Sequence, residues 1–179
     1  MLPGPIGYVR LTQFAKQTAG ELRAAVEALQ KDGMRALLLD LRGNGGGLLT
    51  GAVEVADLFL KPGLMIVYSE GRNPEIAARE DYISGGRLGE DGRWQNPPRN
   101  RPPKRDRPDY PLVVLVDHGS ASASEIVSGA VRDHARSVLV GEKTFGKGSV
   151  QQLRQLEATG RQSILRLTVA KYYLPSGQC

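Results

Sequence analysis

The chain is poor in the residues that build cross-links and metal centres. Its 179 residues include one cysteine, Cys179, and two histidines, His118 and His134. A lone cysteine excludes an intramolecular disulfide. Its place at the last residue does not suit a thiol nucleophile, which needs a structured, electropositive setting. Two histidines without cysteine partners at ligand spacing give no zinc-type cluster, so no metal is expected. Long apolar runs are missing as well. No stretch approaches the roughly 20 residues of a membrane span. Met1-Leu-Pro-Gly-Pro-Ile6 has neither the basic nor the apolar block of a secretory leader, so no targeting signal is read in this chain.

What is present is an ordinary globular composition, 40% hydrophobic and 24% charged, at a length that suits one domain. The formal charge is +5. Much of that excess is local: Arg99, Arg101, Lys104, Arg105 and Arg107 face only Asp106 within a proline-rich stretch. Such a run reads as a solvated loop, and no nucleic-acid partner is inferred from it.

Hydrophobic periodicity organises the rest. Gly7–Leu11 reads as a short strand. Thr18-Ala-Gly-Glu21 has the form of a capping box, and Leu22, Ala25, Val26 and Leu29 follow as one apolar helical stripe. Ala36–Leu41 is a continuous apolar run, suited to a strand buried on both faces. Arg42-Gly-Asn-Gly-Gly-Gly47 is a glycine loop. A second helix carries Ala52, Val55, Ala56 and Phe59, and Met65–Tyr68 is a strand. Residues 71 to 110 show no convincing period and read as one long basic, Pro/Gly-rich loop. Pro111–Val116 is again a buried strand. A third helix carries Ile126, Val127, Ala130 and Val131, and Ser137–Val140 is a strand. From Ser149 to Tyr173 the pattern is a β-hairpin turning at Ala158–Arg161, with Leu165, Leu167 and Val169 on one face. The order is α/β, with active groups expected at strand-to-helix junctions.

Two segments carry chemistry: Gly119-Ser-Ala-Ser-Ala-Ser-Glu125 and Thr144-Phe-Gly-Lys-Gly-Ser-Val-Gln151. A serine hydroxyl needs a base to become a nucleophile. A lysine serves if burial disfavours its charged form. Lys147 has Phe145 and Val150 close by and no acid within four residues, so it is expected among apolar neighbours without a carboxylate partner. Acyl transfer also needs preorganised N–H donors for an oxyanion, and the glycines at 45 to 47, before a helix, offer them. Ser120, Ser122 and Ser124 alternate, and the residues alone do not choose among them. Any one of the three could cap the helix through its side chain.

Three motifs in order, Asp40-Leu-Arg-Gly-Asn-Gly-Gly-Gly-Leu48, Gly119-Ser-Ala-Ser-Ala-Ser-Glu-Ile126 and Gly141-Glu-Lys-Thr-Phe-Gly-Lys-Gly-Ser-Val-Gln-Gln152, resemble the carboxyl-terminal processing peptidases. These are the tail-specific proteases of serine peptidase family S41. The resemblance runs over nearly the whole chain, residues 1–179 as a single catalytic core. It implies a ClpP/crotonase-like spiralled ββα core with a C-terminal β-hairpin. It implies Ser122 as nucleophile, Lys147 as general base, Gln151 orienting the lysine, and the N–H groups of Gly47 and Ala123 as the oxyanion hole. It implies a serine-type endopeptidase that cuts protein or peptide substrates with apolar C-termini, without metal or cofactor, in a periplasm or cell envelope, and it allows a homo-oligomer. Only six residues precede the first strand, so the PDZ domain usual in the family is expected to be absent.

Three rivals stand beside this reading. Gly141-Glu-Lys-Thr-Phe-Gly-Lys147 matches a P-loop, but Gly148 stands where Ser or Thr must follow. A Ser–His–Asp hydrolase could draw on His118 and His134, but the G-x-S-x-G elbow is missing. A non-catalytic ligand- or peptide-binding module on the same fold would be signalled by loss of the serine, lysine or glycines, and all are present; an inactive fragment of a peptidase stays open beside it.

Overall fold

A computed structural model describes residues 5–75, 77–98, 109–155 and 163–179. In chain order its elements are β1 (Ile6–Arg10), α1 (Thr18–Lys31), β2 (Ala36–Asp40), α2 (Leu49–Asp57), β3 (Met65–Glu70), β4 (Glu80–Ile83), β5 (Arg87–Leu88), β6 (Trp94–Gln95), β7 (Leu112–Val116), α3 (Ala123–Asp133), β8 (Val138–Gly141), β9 (Ser149–Gln155) and β10 (Ile164–Tyr173). β1, β2, β7 and β8 form a parallel sheet in the order β1-β2-β7-β8. β4, β3, β10 and β9 form an antiparallel sheet in that order, and β5 pairs with β6. The chain thus passes from one sheet to the other and back, as expected for a ββα core closed by a hairpin.

Alternation along the parallel strands decides where the core lies. Leu37, Leu39, Leu112 and Val114 point to one face and are at most 3% exposed. Against them pack Leu22 and Val26 of α1, Val53 and Ala56 of α2, and Val127 and Val131 of α3. Each such aliphatic side chain removed from water contributes roughly 1.5–3 kcal/mol, so this layer carries much of the fold. The opposite face holds a row across all four strands, Tyr8, Leu38, Val113 and Val138 in register. None of these four is fully buried.

Two expectations change. The capping box at Thr18 does not form. Thr18 is the first helical residue, and its hydroxyl accepts the Ala15 N–H at 3.0 Å. The 71 to 110 stretch is not one loop, because β4, β5 and β6 lie within it. β4 is recruited by pairing along β3, a tertiary contact that overrides a weak local pattern. The predicted hairpin pairs as β9 with β10. Its turn at Ala158–Arg161 lies outside the described residues, as do positions 99–108 with their basic cluster.

Candidate active site

β7 runs into α3 through a turn built on Asp117. Its Oδ1 accepts the N–H groups of Gly43 at 2.8 Å and Gly119 at 2.9 Å. The Gly43 N–H, then those of Gly119 and the Ser120 hydroxyl, hold the carboxyl below its usual range. The glycine loop after β2 and the serine turn after β7 are therefore fastened together.

Within that turn the three serines separate by environment. Ser120 and Ser124 are 0% exposed. The Ser120 hydroxyl donates to the Leu41 carbonyl and the Ser124 hydroxyl to the Asn44 carbonyl, each at 2.8 Å. Ser122 is half-buried, stands at the N-cap of α3 and lines a cavity of about 440 Å³. Its φ is +55° and ψ −110°, a conformation that costs a non-glycine residue of order 1–3 kcal/mol and recurs at functional sites.

The glycine loop closes against this serine. Asn44 is 0% exposed. Its Nδ2 donates to the Leu11 carbonyl at 2.9 Å, its Oδ1 accepts the Gly46 N–H at 2.9 Å, and its carbonyl accepts the Ala121 N–H at 3.0 Å. Gly46 has φ +102°, and a Cβ there would sit 2.8 Å from the Ala121 carbonyl oxygen and 2.9 Å from the Ser122 Cβ. At Gly47, φ +150°, a Cβ would collide with the Phe14 backbone. Only glycine fits both positions. Among the described residues the N–H groups of Gly47 and Ala123 have no hydrogen-bond partner. Gly47 is exposed, Ala123 is buried, and neither lines the cavity beside Ser122.

The lysine segment is tied to the serine through Glu125. Its Oε2 accepts the Ser122 N–H at 2.8 Å and the Lys147 N–H at 2.9 Å. Its Oε1 accepts the Thr144 hydroxyl at 2.8 Å and the Gly146 N–H at 2.7 Å. One carboxylate thus gathers four donors from the two motifs. Lys147 lines the same cavity as Ser122, above an apolar floor of Val116, Ile126, Leu139 and Leu174. Its side chain is exposed, not enclosed by apolar neighbours as expected. Phe145 beside it is 68% exposed. Among the described residues the Lys147 amine makes neither an ion pair nor a hydrogen bond to Ser122. Gln151 lies on β9 opposite Thr168, exposed and away from the cavity wall.

The histidines go elsewhere. His118 pairs with Glu142 at 3.2 Å, both exposed. His134 bonds the Met65 carbonyl at the far end of α3, at 2.6 Å. Neither imidazole bonds a serine among the described residues. No group of three or more potential metal ligands occurs among the described residues.

Sequence reasoning passed over Glu125 and Asn44. The signal for the first was present: Ser122-x-x-Glu125 is a capping-box pattern. Asn44 had no such mark, because its role depends on the Leu11 carbonyl, the Ala121 N–H and the Ser124 hydroxyl, all distant in sequence.

Residues 5–179 match the model of peptidase family S41. The chain is 42% identical over 178 residues to a carboxy-terminal-processing protease of Bartonella bacilliformis, covering 97% of this chain and 36% of that protein. It is 39% identical over 171 residues to a carboxyl-terminal-processing protease of Synechocystis sp., covering 95% and 34%. The chain therefore spans about a third of the length of these relatives. The structure superposes on a photosystem II D1 C-terminal processing protease with TM-score 0.73 at 34% identity, covering 99% of this chain and 41% of that one. It shares the fold of mature CPAF, TM-score 0.68 at 14% identity, over 96% and 44% of the two chains. With its parallel and antiparallel sheets, its glycine loop and its serine turn, the chain belongs to peptidase family S41, the serine-type peptidases that include the carboxyl-terminal-processing proteases.

Proposed function

We propose that this chain is the catalytic core of a tail-specific endopeptidase working through Ser122 and Lys147. The observation that carries the proposal is the Glu125 carboxylate, which fixes the backbones of both residues beside one cavity. In the reaction the neutral Lys147 amine takes the Ser122 proton as Oγ attacks a peptide carbonyl. The oxyanion is received by the Gly47 and Ala123 N–H groups. The Lys147 ammonium then gives its proton to the leaving amine, and water hydrolyses the ester on Ser122. Substrate lying over the exposed Lys147 supplies the desolvation its amine needs to act as a base. Gln151 orients the amine in that closed arrangement. The substrate is a protein or peptide with an apolar C-terminus, suited to the cavity floor, and the compartment is extracytoplasmic. A single chain suffices for the site, and any homo-oligomer would bear on capture.

Purified chain is incubated with a peptide ending in apolar residues, and the fragments are identified by mass spectrometry. Ser122→Ala and Lys147→Ala should each lower turnover by about a thousandfold or more, with circular dichroism unchanged. Turnover retained in either variant would sink the dyad. The exposed lysine favours one second reading, a non-catalytic peptide-binding core. In that case the wild-type chain binds the peptide and cuts nothing.

A further inference from the structure

The cavity that holds Ser122 extends well beyond it. Ser122, Glu125, Ile126, Gly129 and Arg132 all line it. That is one face of α3, followed at helical spacing from the N-cap to the last turn. The far end differs in character from the middle. Val116, Ile126, Leu139 and Leu174 make the middle apolar, whereas Arg132 and Gln178 make the end polar.

Arg132 is a fixed donor, not a loose surface charge. Its Nε and Nη2 donate to Asp133 Oδ1 at 3.0 and 2.8 Å, and Nη2 donates also to Gln178 Oε1 at 3.2 Å. Asp133 is itself fastened: its Oδ2 accepts the Ser176 N–H at 3.0 Å, and its side chain is 8% exposed. Among the described residues the Arg132 Nη1 has no hydrogen-bond partner, and neither has the Gln178 side-chain nitrogen. Donors therefore remain at the end of the cavity, on a guanidinium whose plane is already set. They suit a planar acceptor with two oxygens, which is a carboxylate. Asp133 and the C-terminal end of the α3 dipole offset the positive charge here, so recognition rests on the direction of the N–H groups. The other carboxylates that line the cavity are engaged. Glu125 takes four donors beside Ser122, and Glu142 pairs with His118.

We propose that Arg132, with Gln178, receives the free C-terminal carboxylate of the substrate and so sets where the cut falls. This rests on the reading of Ser122 as the nucleophile. From Ser122 to Arg132 the helix rises about 15 Å, at about 1.5 Å per residue. An extended peptide covers that span in about four or five residues, at about 3.3 Å each. The bond cut at Ser122 then lies about four residues from the end of the substrate, and the residues between pass over the apolar floor. Arg132 determines specificity and takes no part in the bond-breaking step.

Two fluorescein-labelled peptides of one sequence ending in apolar residues test this, one with a free C-terminal carboxylate and one with a C-terminal amide. Binding to the Ser122→Ala chain, which leaves the peptides whole, is followed by anisotropy. Cleavage by the unchanged chain is followed by mass spectrometry. The free acid should bind at least tenfold more tightly than the amide. Adding Arg132→Gln should bring the two within twofold by weakening the acid alone, with circular dichroism unchanged. If that spectrum changes, Arg132→Lys keeps the charge but not the planar donors, and should still lose most of the preference. In cleavage, the main cut should fall about four residues from the free carboxylate and stay there when the peptide is lengthened at its N-terminus. Equal or absent binding, a preference that survives Arg132→Gln, or one lost instead with Lys143→Gln overturns the proposal. The two readings fail separately. A chain that binds the acid through Arg132 and cuts neither peptide sinks Ser122 as nucleophile and leaves the carboxylate site standing. Equal cutting of acid and amide sinks the site and leaves the nucleophile.

Discussion

The two walls of the cavity are built differently. On the serine side the anchoring side chains are buried and cross-tied: Asn44, Ser120 and Ser124 are 0% exposed, and their bonds join the residues just after β1 and β2 to the start of α3. On the lysine side the segment from Glu142 to Lys147 is exposed except at Thr144, which is half-buried. It is held to the serine turn by Glu125 and by the Phe145 N–H to the Ser120 carbonyl at 3.0 Å. Oxyanion stabilisation depends on donors fixed before the reaction, and the serine side provides that. A lysine base depends on exclusion of water, and the free chain does not provide that. The difference assigns preorganisation to one wall and adjustability to the other.

The sharpest way to break this comparison is to strike the rigid wall. Gly46→Ala puts a methyl group against the Ala121 carbonyl and Ser122, at φ +102°. The expected cost is about 3–5 kcal/mol of stability, read by urea unfolding, together with loss of peptide cleavage. Near-normal stability in the Gly46→Ala variant would mean that the wall yields, and that the contrast between the two sides is overstated.

Glu125→Gln attacks the joint between them. The amide keeps the shape but replaces charge-assisted bonds with weaker ones, and one of its ends is a donor facing N–H donors. Stability should fall by about 1–3 kcal/mol. The kcat should fall at least tenfold with KM little changed, because the variant displaces Lys147 and leaves the apolar floor intact. A rise in KM at constant kcat would show that Glu125 shapes the binding surface and does not position the pair.

A pH series sharpens the rigid side. Asp40, 1% exposed, takes three hydrogen bonds from Arg42 and one from the Tyr8 hydroxyl at 2.7 Å. The Arg42 guanidinium first, and the Tyr8 hydroxyl after it, hold its carboxyl well below the usual carboxylate range. A depressed folded pKa stabilises above the unfolded value, near 4, and that contribution is lost as pH falls through the folded value. Asp40→Asn should therefore cost about 1–3 kcal/mol at pH 7. The gap from wild type should be constant down to about pH 4 and narrow below it. A gap that widens on acidification would contradict the assignment.

Much of this contrast could be read in the residues, and some could not. The buried strands at Ala36 and Leu112 and the stripe Ile126, Val127, Ala130, Val131 follow from continuous or 3.6-residue apolar patterns, and all are buried in the core or beside it. The short strands β4, β5 and β6 have no period of their own, and they exist because β3 and one another offer edges. At the site, motif order brought Ser122 and Lys147 to one cavity. Exposure of Lys147 was not legible, because flanking Phe145 and Val150 say nothing about which way a glycine-framed segment turns. The choice among three serines needed the distant carbonyls of Leu41 and Asn44 that bury two of them.

The smallest expected effect tests the adjustable wall most cleanly. Phe145 is 68% exposed beside Lys147, so Phe145→Ala removes little buried area and should change stability by less than about 0.5 kcal/mol. If substrate completes the apolar enclosure of Lys147, the same change should matter in the reaction. The free chain lacks this enclosure, and the bound one would gain part of it from the Phe145 ring. The expected outcome is a severalfold fall in kcat/KM. An unchanged kcat/KM would mean that Phe145 stays in water throughout, and that the lysine is desolvated from another side or not at all.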